Sequence, residues 1–428
     1  MERLMQYVWQ HRLLLQTDLT TVDGLPVSII DPGRLNTDSG PDFFNAKIRI
    51  GDKLWAGDVE IHVRASDWHR HRHDGNPAYG SVVLHVVDRD DTMITRSNGE
   101  VIPQMVMQCA PGFHESYSSL VDRADIDLPC ASHIPSMSPL HVVDWIASLA
   151  YERAYAKAER LTETLHTLAG DWEQALYITL ARALGFGKNA EPMERLARSL
   201  PLQFLRKHSD SLTAMEALFL GQAGFLDTAP ADRYVEHMRR EYAFLSHKFS
   251  LHAPQGLGWK TGRMRPQNLP YRRVAMLAQT VADDFRMVRR LLDMESPAEA
   301  VEYFRRPLKG YWADRMTFGD EPSGRPAESM SKASASVMTI NVAVPLFIAY
   351  GMAHNDDEYI EKGFGWLHEL PAESNSVVSM FTQAGLTCRD AFTSQALIQL
   401  RRAYCECRRC LYCRLGHRLL AAKALRRP

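Results

Sequence analysis

The residues best placed to do chemistry form two groups, one early and one late in the chain. The early group runs through Gly40-Pro41-Asp42-Phe43 and then Asp58-Val-Glu60-Ile-His62-Val63. The second piece alternates polar and apolar residues. As a strand it puts Asp58, Glu60 and His62 on one face and Val59, Ile61 and Val63 on the other. A turn at Gly51-Asp52 folds the preceding strand back against it as a hairpin, which carries Asp42 toward Glu60. Two carboxylates meeting at a sheet edge make an oxygen site suited to Mg²⁺ or Mn²⁺, ions that activate water and neutralise phosphate. Five histidines lie between residues 62 and 85. His69, His71 and His73 at spacing two read either as a metal-binding edge or as a solvated loop. His85 sits mid-strand in Val82–Val87, where an unpaired imidazole is costly to bury, so it is hydrogen-bonded or faces a site. The bland reading of the acidic segment is a strand with its polar face in solvent and an ordinary Gly-Pro-Asp turn.

The late group is Cys405-Glu-Cys407-Arg-Arg-Cys410-Leu-Tyr-Cys413, with His417 after it. Cys410-x-x-Cys413 has the spacing of zinc knuckles and ribbons. Cys405 and Cys407 are too close in sequence for both to reach one ion readily. The expected set is therefore Cys405, Cys410 and Cys413, with a fourth ligand from Cys407, His417 or the distant Cys130. Spacing does not separate zinc from an iron–sulfur cluster. Coincidental cysteines on a basic helix are the alternative. Cys109 and Cys388 read as small buried hydrophobes. The same tail is basic: residues 401–428 hold eight Arg and one Lys against Glu406 alone, which suits phosphate contact or a solvated helix face.

The elements that position these groups change character near residue 135. Before it come short strands at Pro26–Ile30, Ala46–Ile50, Trp55–Val63, Ser81–Val87 and Glu100–Met107, preceded by a helix over Glu2–Leu15. After it the periodicity is helical: Leu140–Leu168, Trp172–Leu184, Met193–Leu205, Ser211–Leu220, Asp232–Phe249, Arg272–Met294 and Pro297–Arg305. Asp171, Ser211 and Ser296 are placed as N-caps, with Gly185 as a helix stop. Thr317–Ser336 reads as a loop. Arg263 and Arg265 enter a helix on a basic loop, where they hold phosphate or brace helices. With 45% hydrophobic and 24% charged residues and a formal net charge of −1, the chain is neither disordered nor a whole-molecule polyanion binder. The apolar stretch Val337–Ala353 is interrupted by Thr339, Asn341 and Pro345 and reads as too short and too polar to span a bilayer. No targeting signal is visible, so the expectation is a cytoplasmic protein without membrane contact.

Gly-Pro-Asp42, the hairpin and Glu60-Ile-His62 resemble the PD-(D/E)xK phosphodiesterase core, with His62 where that superfamily usually has Lys. The resemblance implies metal held by Asp42 and Glu60, with His62 assisting the nucleophile or phosphate. Some exonucleases of that superfamily hold an iron–sulfur cluster with one early and three late cysteines, similar to Cys130 with the tail. Over nearly its whole length the chain also resembles a bacterial family classed as a domain of unknown function. That likeness is carried by Gly-Pro-Asp-Phe, Val-Glu-Ile-His, Asp67-Trp68, Leu-His-Val-Val, Arg263–Asn268, Asn341 before Val-Pro345 and the terminal cysteines. The expected fold is α+β: a PD-(D/E)xK-like mixed sheet with a flanking helix over 1–135, then a helical region over 136–428 ending in a Cys metal site. The expected function is metal-dependent hydrolysis of nucleic acid, with Mg or Mn at the acidic site and Zn or Fe–S at the cysteines. The alternatives are a non-catalytic nucleic-acid-binding or assembly protein, and a small-molecule hydrolase using the histidines His71, His73 and His85.

Overall fold

The computed structural model describes residues 1–14, 18–36, 38–96, 98–109, 117–118, 128–324 and 330–424. Leu15 of the expected first helix, residues 325–329 of the Thr317–Ser336 loop, and Arg426 and Arg427 of the basic tail lie outside the described residues. The chain divides into two compact units, Met1–Trp145 with Arg401–Pro428, and Ile146–Leu400.

The first unit is built on a mixed sheet of seven strands: β1 (Leu19–Thr20), β2 (Pro26–Asp31), β3 (Arg34–Leu35), β4 (Phe43–Ile50), β5 (Lys53–Arg64), β6 (Val82–Arg89) and β7 (Gln104–Val106). Their order is β1-β2-β4-β5-β6-β7, with β3 pairing β4 at one end. β4 and β5 form the antiparallel hairpin around Gly51, whose φ of +58° suits glycine. β5 and β6 are parallel, as are β6 and β7. A parallel step needs a crossover, and the one from β5 to β6 carries a short helix, α2 (Asp67–Arg70).

Helix α1 (Glu2–Gln10) lays Leu4, Met5, Val8 and Trp9 on a core shared with Phe43, Ala46, Ile48, Val59, Ile61, Leu84 and Val86. Each Val, Leu, Ile, Met or Phe among them contributes about 1.5–3 kcal/mol by leaving water. The helix stops short of Leu15 because Arg12 turns left-handed (φ +52°). There the amides of Leu13 and Arg12 bond back to Val8 and Trp9, a Schellman closure. Around the site β5 is buried on both faces: Asp58, Glu60 and His62 are at most 8% exposed. The solvated-face reading of that strand therefore does not hold. Gly57 is what lets β6 approach, since a Cβ there would lie 2.4 Å from Val83 Cγ1 and 2.6 Å from the Ser81 carbonyl oxygen. The expected strand Glu100–Met107 shrinks to Gln104–Val106, because Pro103 has no N–H to offer the ladder.

The second unit is helical. Asp171, Ser211 and Ser296 cap their helices by accepting the amides of Gln174, Ala214 and Glu299. The helix expected over Arg272–Met294 is two, Pro270–Asp283 and Met287–Leu292. Between them Asp284 accepts the Arg286 amide at 2.9 Å and the Arg290 side chain, an Asx-type break. Likewise Pro201 divides Met193–Leu205 into Ala190–Ser199 and Leu202–Leu205. The stretch Lys332–His354 is 23 residues long and apolar enough to cross a membrane by length and composition, longer than its sequence suggests, but its most apolar window is 78% buried inside the protein.

Candidate metal centre

The site is assembled from β5, β6 and the α2 turn. His62 projects from β5 beside Glu60 and is fully buried. His71 and His73 come from the turn that ends α2. Arg72, between them, is left-handed at φ +61°, while the amides of His73 and Arg72 bond to the carbonyls of Trp68 and His69. This second Schellman closure swings both histidines back toward β5. Asp67 braces the turn, accepting the Arg64 amide at 3.1 Å and pairing with Arg70 at 3.0 Å.

One ring nitrogen each from His62, His71 and His73 lies within 4.8 Å of the other two, so the three form a cluster capable of coordinating a metal ion. His62 Nε2 and His71 Nδ1 are 3.1 Å apart, near the roughly 3.3 Å that two nitrogens about 2.0–2.1 Å from one tetrahedral ion would show. Glu60 Oε1 adjoins the cluster, 3.2 Å from His73 Nε2 and 3.4 Å from His62 Nε2. Burial, reinforced by the neighbouring His85, His71 and His73, pushes His62 down to about 2. Burial lowers His73 and takes His85 down to about 3. Neutral imidazoles are the form that ligates metal.

Behind the cluster, His85 Nε2 meets His62 Nδ1 at 2.9 Å. For His62 to offer Nε2 as a ligand, Nδ1 must carry the proton and donate it to His85, the usual way an outer partner fixes a ligand's tautomer. His85 Nδ1 is then a buried N–H without a partner, a cost of about 1–3 kcal/mol. Tyr79 stacks on His73 with centroids 3.8 Å apart, and Trp68 meets the rings of His62, His73 and His85 edge-on. Neither Tyr79 nor Trp68 carries a spacing signal that would have assigned it to the site.

The acidic pair does not form the expected Mg or Mn site. Asp42 Oδ1 accepts from Gln6 of α1 at 2.8 Å and Oδ2 from the Ile61 amide at 3.0 Å. Glu60 Oε2 accepts the Asp42 amide at 3.0 Å, and Oε1 faces the imidazoles. Three of the four oxygens are thus committed to hydrogen bonds, and the fourth faces neutral imidazoles. Burial, with each carboxyl near other acids, raises Asp42 to about 7 and Glu60 to about 8. A hard cation needs free, charged oxygens, so the only convergent metal-ligand set among the described residues is the histidine one.

The cysteine metal site expected at the end of the fold is also corrected. Cys130 and Cys410 pack as apolar groups against the core of the first unit. Burial, with neighbouring thiols adding to it, pushes Cys130 up to about 12; burial pushes Cys410 up to about 11 and raises Cys405 and Cys413. Cys407 is exposed and donates to the Arg402 carbonyl at 3.3 Å. Among the described residues no three of these sulfurs converge as ligands, and His417 Nδ1 is instead bonded to Tyr7 at 2.5 Å. Neither zinc nor an iron–sulfur cluster is supported there. Parts of the basic tail are taken up locally: Arg401 pairs with Glu406, and Arg414 with Asp144 while lying over Trp145. Arg263 and Arg265 are exposed in the second unit.

Fold and cluster together define an α+β protein whose mixed sheet carries a three-histidine group able to hold a metal ion. Residues 2–376 match the family described as Protein of unknown function (DUF2851), and the chain belongs to that family. No curated protein and no solved structure gives a significant match.

Proposed function

We propose that the first unit is a metal-dependent phosphodiester hydrolase acting on nucleic acid. The observation that carries this reading is the convergence of His62, His71 and His73 beside the Glu60 carboxylate. Three neutral imidazoles suit a borderline divalent ion such as zinc, which when bound supplies Lewis-acid polarisation of water or of a phosphoryl oxygen. The three histidines would hold the ion. Glu60 Oε1, the carboxyl oxygen that faces the cluster among the described residues, would accept the proton of the attacking water once Glu60 is ionised, which its raised value of about 8 places at mildly alkaline pH. Asp42 is a positioning residue: its amide fixes Glu60 Oε2 while its own oxygens are tied to Gln6 and Ile61. The phosphodiester assignment is supported by the β4–β5 hairpin followed by parallel β6, an order consistent with the PD-(D/E)xK plan.

The test uses the full chain loaded with Zn²⁺, Co²⁺ or Mn²⁺ and assayed on labelled DNA, RNA and bis-p-nitrophenyl phosphate. Glu60→Gln keeps the shape and loses the base, so turnover should fall by about 10²–10⁴-fold with metal content unchanged. Equal turnover by both proteins, or none by the loaded wild type on any substrate, would overturn the reading. Cleavage of the small diester alone would move it to small-molecule hydrolysis.

A further inference from the structure

We infer that the second unit carries a binding site for a small phosphorylated molecule, in the pocket between the start of the Arg233–Lys248 helix and the segment from Gly310 to Glu321. The pocket has a volume of about 680 Å³, within the range of sites that enclose small ligands. Arg233, His237 and Arg240 line it. They sit at i, i+4 and i+7 of one helix and so share a face.

The charges of the lining divide into those used to build the wall and those left over. Asp232 caps the helix by accepting the Val235 amide at 2.7 Å and takes the Tyr311 hydroxyl at 2.9 Å. Asp320 accepts the amides of Met316 and Thr317. Arg315 pairs with Asp314 at 3.1 Å, donates to the Asp320 carbonyl and lies over the Tyr311 ring. Tyr311 in turn stacks on Tyr234 with centroids 4.0 Å apart. Both faces of Tyr311 are therefore covered, which leaves no aromatic platform for a base. The wall is braced and its charges are balanced internally. What remains is mostly cationic: among the described residues Arg233 and His237 have no hydrogen-bond or ion-pair partner, and Arg240 makes one long bond of 3.4 Å from Nε to the Glu236 carbonyl.

Two guanidinium groups and an imidazole lining one pocket suit the oxygens of a phosphate, which Arg binds in planar, paired geometry. Glu321, also in the lining, is the one acid there without a partner among the described residues. It would accept a hydroxyl from the ligand and repel a continuous polyanion, which favours a small molecule over a nucleic-acid strand.

The experiment is calorimetric titration of the metal-free full chain with inorganic pyrophosphate. The variants are Arg233→Ala/Arg240→Ala and Glu321→Gln, with His71→Ala as a control for the histidine cluster. All three pocket positions are exposed, so melting temperatures should stay at the wild-type value. The expected result is one site per chain, weakened at least tenfold in the double-Arg variant and unchanged in His71→Ala. Absence of binding by the wild type, or equal binding by the double-Arg variant, would overturn the proposal. So would tighter, Arg233-dependent binding of an oligothymidylate strand, which would make the site a nucleic-acid contact.

Discussion

Substituting alanine for His71 should abolish stoichiometric metal binding by the full chain while leaving its fold intact. His71 is exposed, so truncation opens no core cavity, whereas His62 is fully buried and its loss would confound binding with packing. Removing one of three ligands should cost more than the 10–100-fold typical of losing an outer partner, so an affinity loss of at least about 10²-fold is expected. Equilibrium dialysis against Zn²⁺, with metal counted per chain, reads it directly. His85 supplies the matching outer-partner case. His85→Phe leaves His62 Nδ1 without an acceptor and should weaken binding by about 10–100-fold. His85→Gln offers an amide oxygen and should recover part of that loss. Unchanged zinc content in His71→Ala would show that the three imidazoles do not form the site.

In the second unit the largest expected effect comes from Glu216. It is 3% exposed, held by Gln279 at 2.7 Å and Tyr234 at 2.8 Å, with no cation beside it among those partners. Burial raises it from an ordinary 4.5 to about 7. The native state therefore keeps a proton that the unfolded chain has lost. The stability this proton contributes is fully present below about pH 4.5 and is lost as pH rises through 7. The span corresponds to on the order of 3 kcal/mol. Urea unfolding of the full chain at pH 5 and pH 8 should show this decline, and Glu216→Gln should remove most of that part of it. Asp42 and Glu60 shift in the same direction, so the quantity that decides is the difference between wild type and variant. Equal slopes for the two proteins would mean that Glu216 ionises freely inside the fold.

Much of this architecture was legible because it follows from local chemistry. Gly51-Asp52 between two alternating runs is a hairpin by its residues, and that hairpin brings the Asp42 amide to Glu60. His85 inside Val82–Val87 signalled a partner, and the partner is His62. The turn that brings in His71 and His73 was not legible. It depends on a left-handed backbone at Arg72, and arginine gives no hint of that conformation where glycine would have. The cysteines misled for the opposite reason. Their spacing matches a chelate, but Cys130 and Cys410 sit against an apolar core, where a thiol is as much a hydrophobe as a ligand. The acids are legible as neighbours but not as a spent pair, because Gln6 and the Ile61 amide, which use up the Asp42 oxygens, come from elsewhere in the fold.

The first unit is closed by both early and late sequence: Leu411 and Leu420 share a core with Leu4, Val8 and Trp9, and Tyr7 bonds to His417 across 410 positions. That has a consequence for the order of events during synthesis. Residues 146–400 form a contiguous unit and can mature as they emerge. The sheet that carries the histidines must wait for Leu411 and Leu420, which follow that unit, before its core is complete. Contacts of such long sequence separation form slowly and leave apolar surface open meanwhile. The histidine site thus becomes rigid only after residues 146–400 have been made, though its own residues precede them.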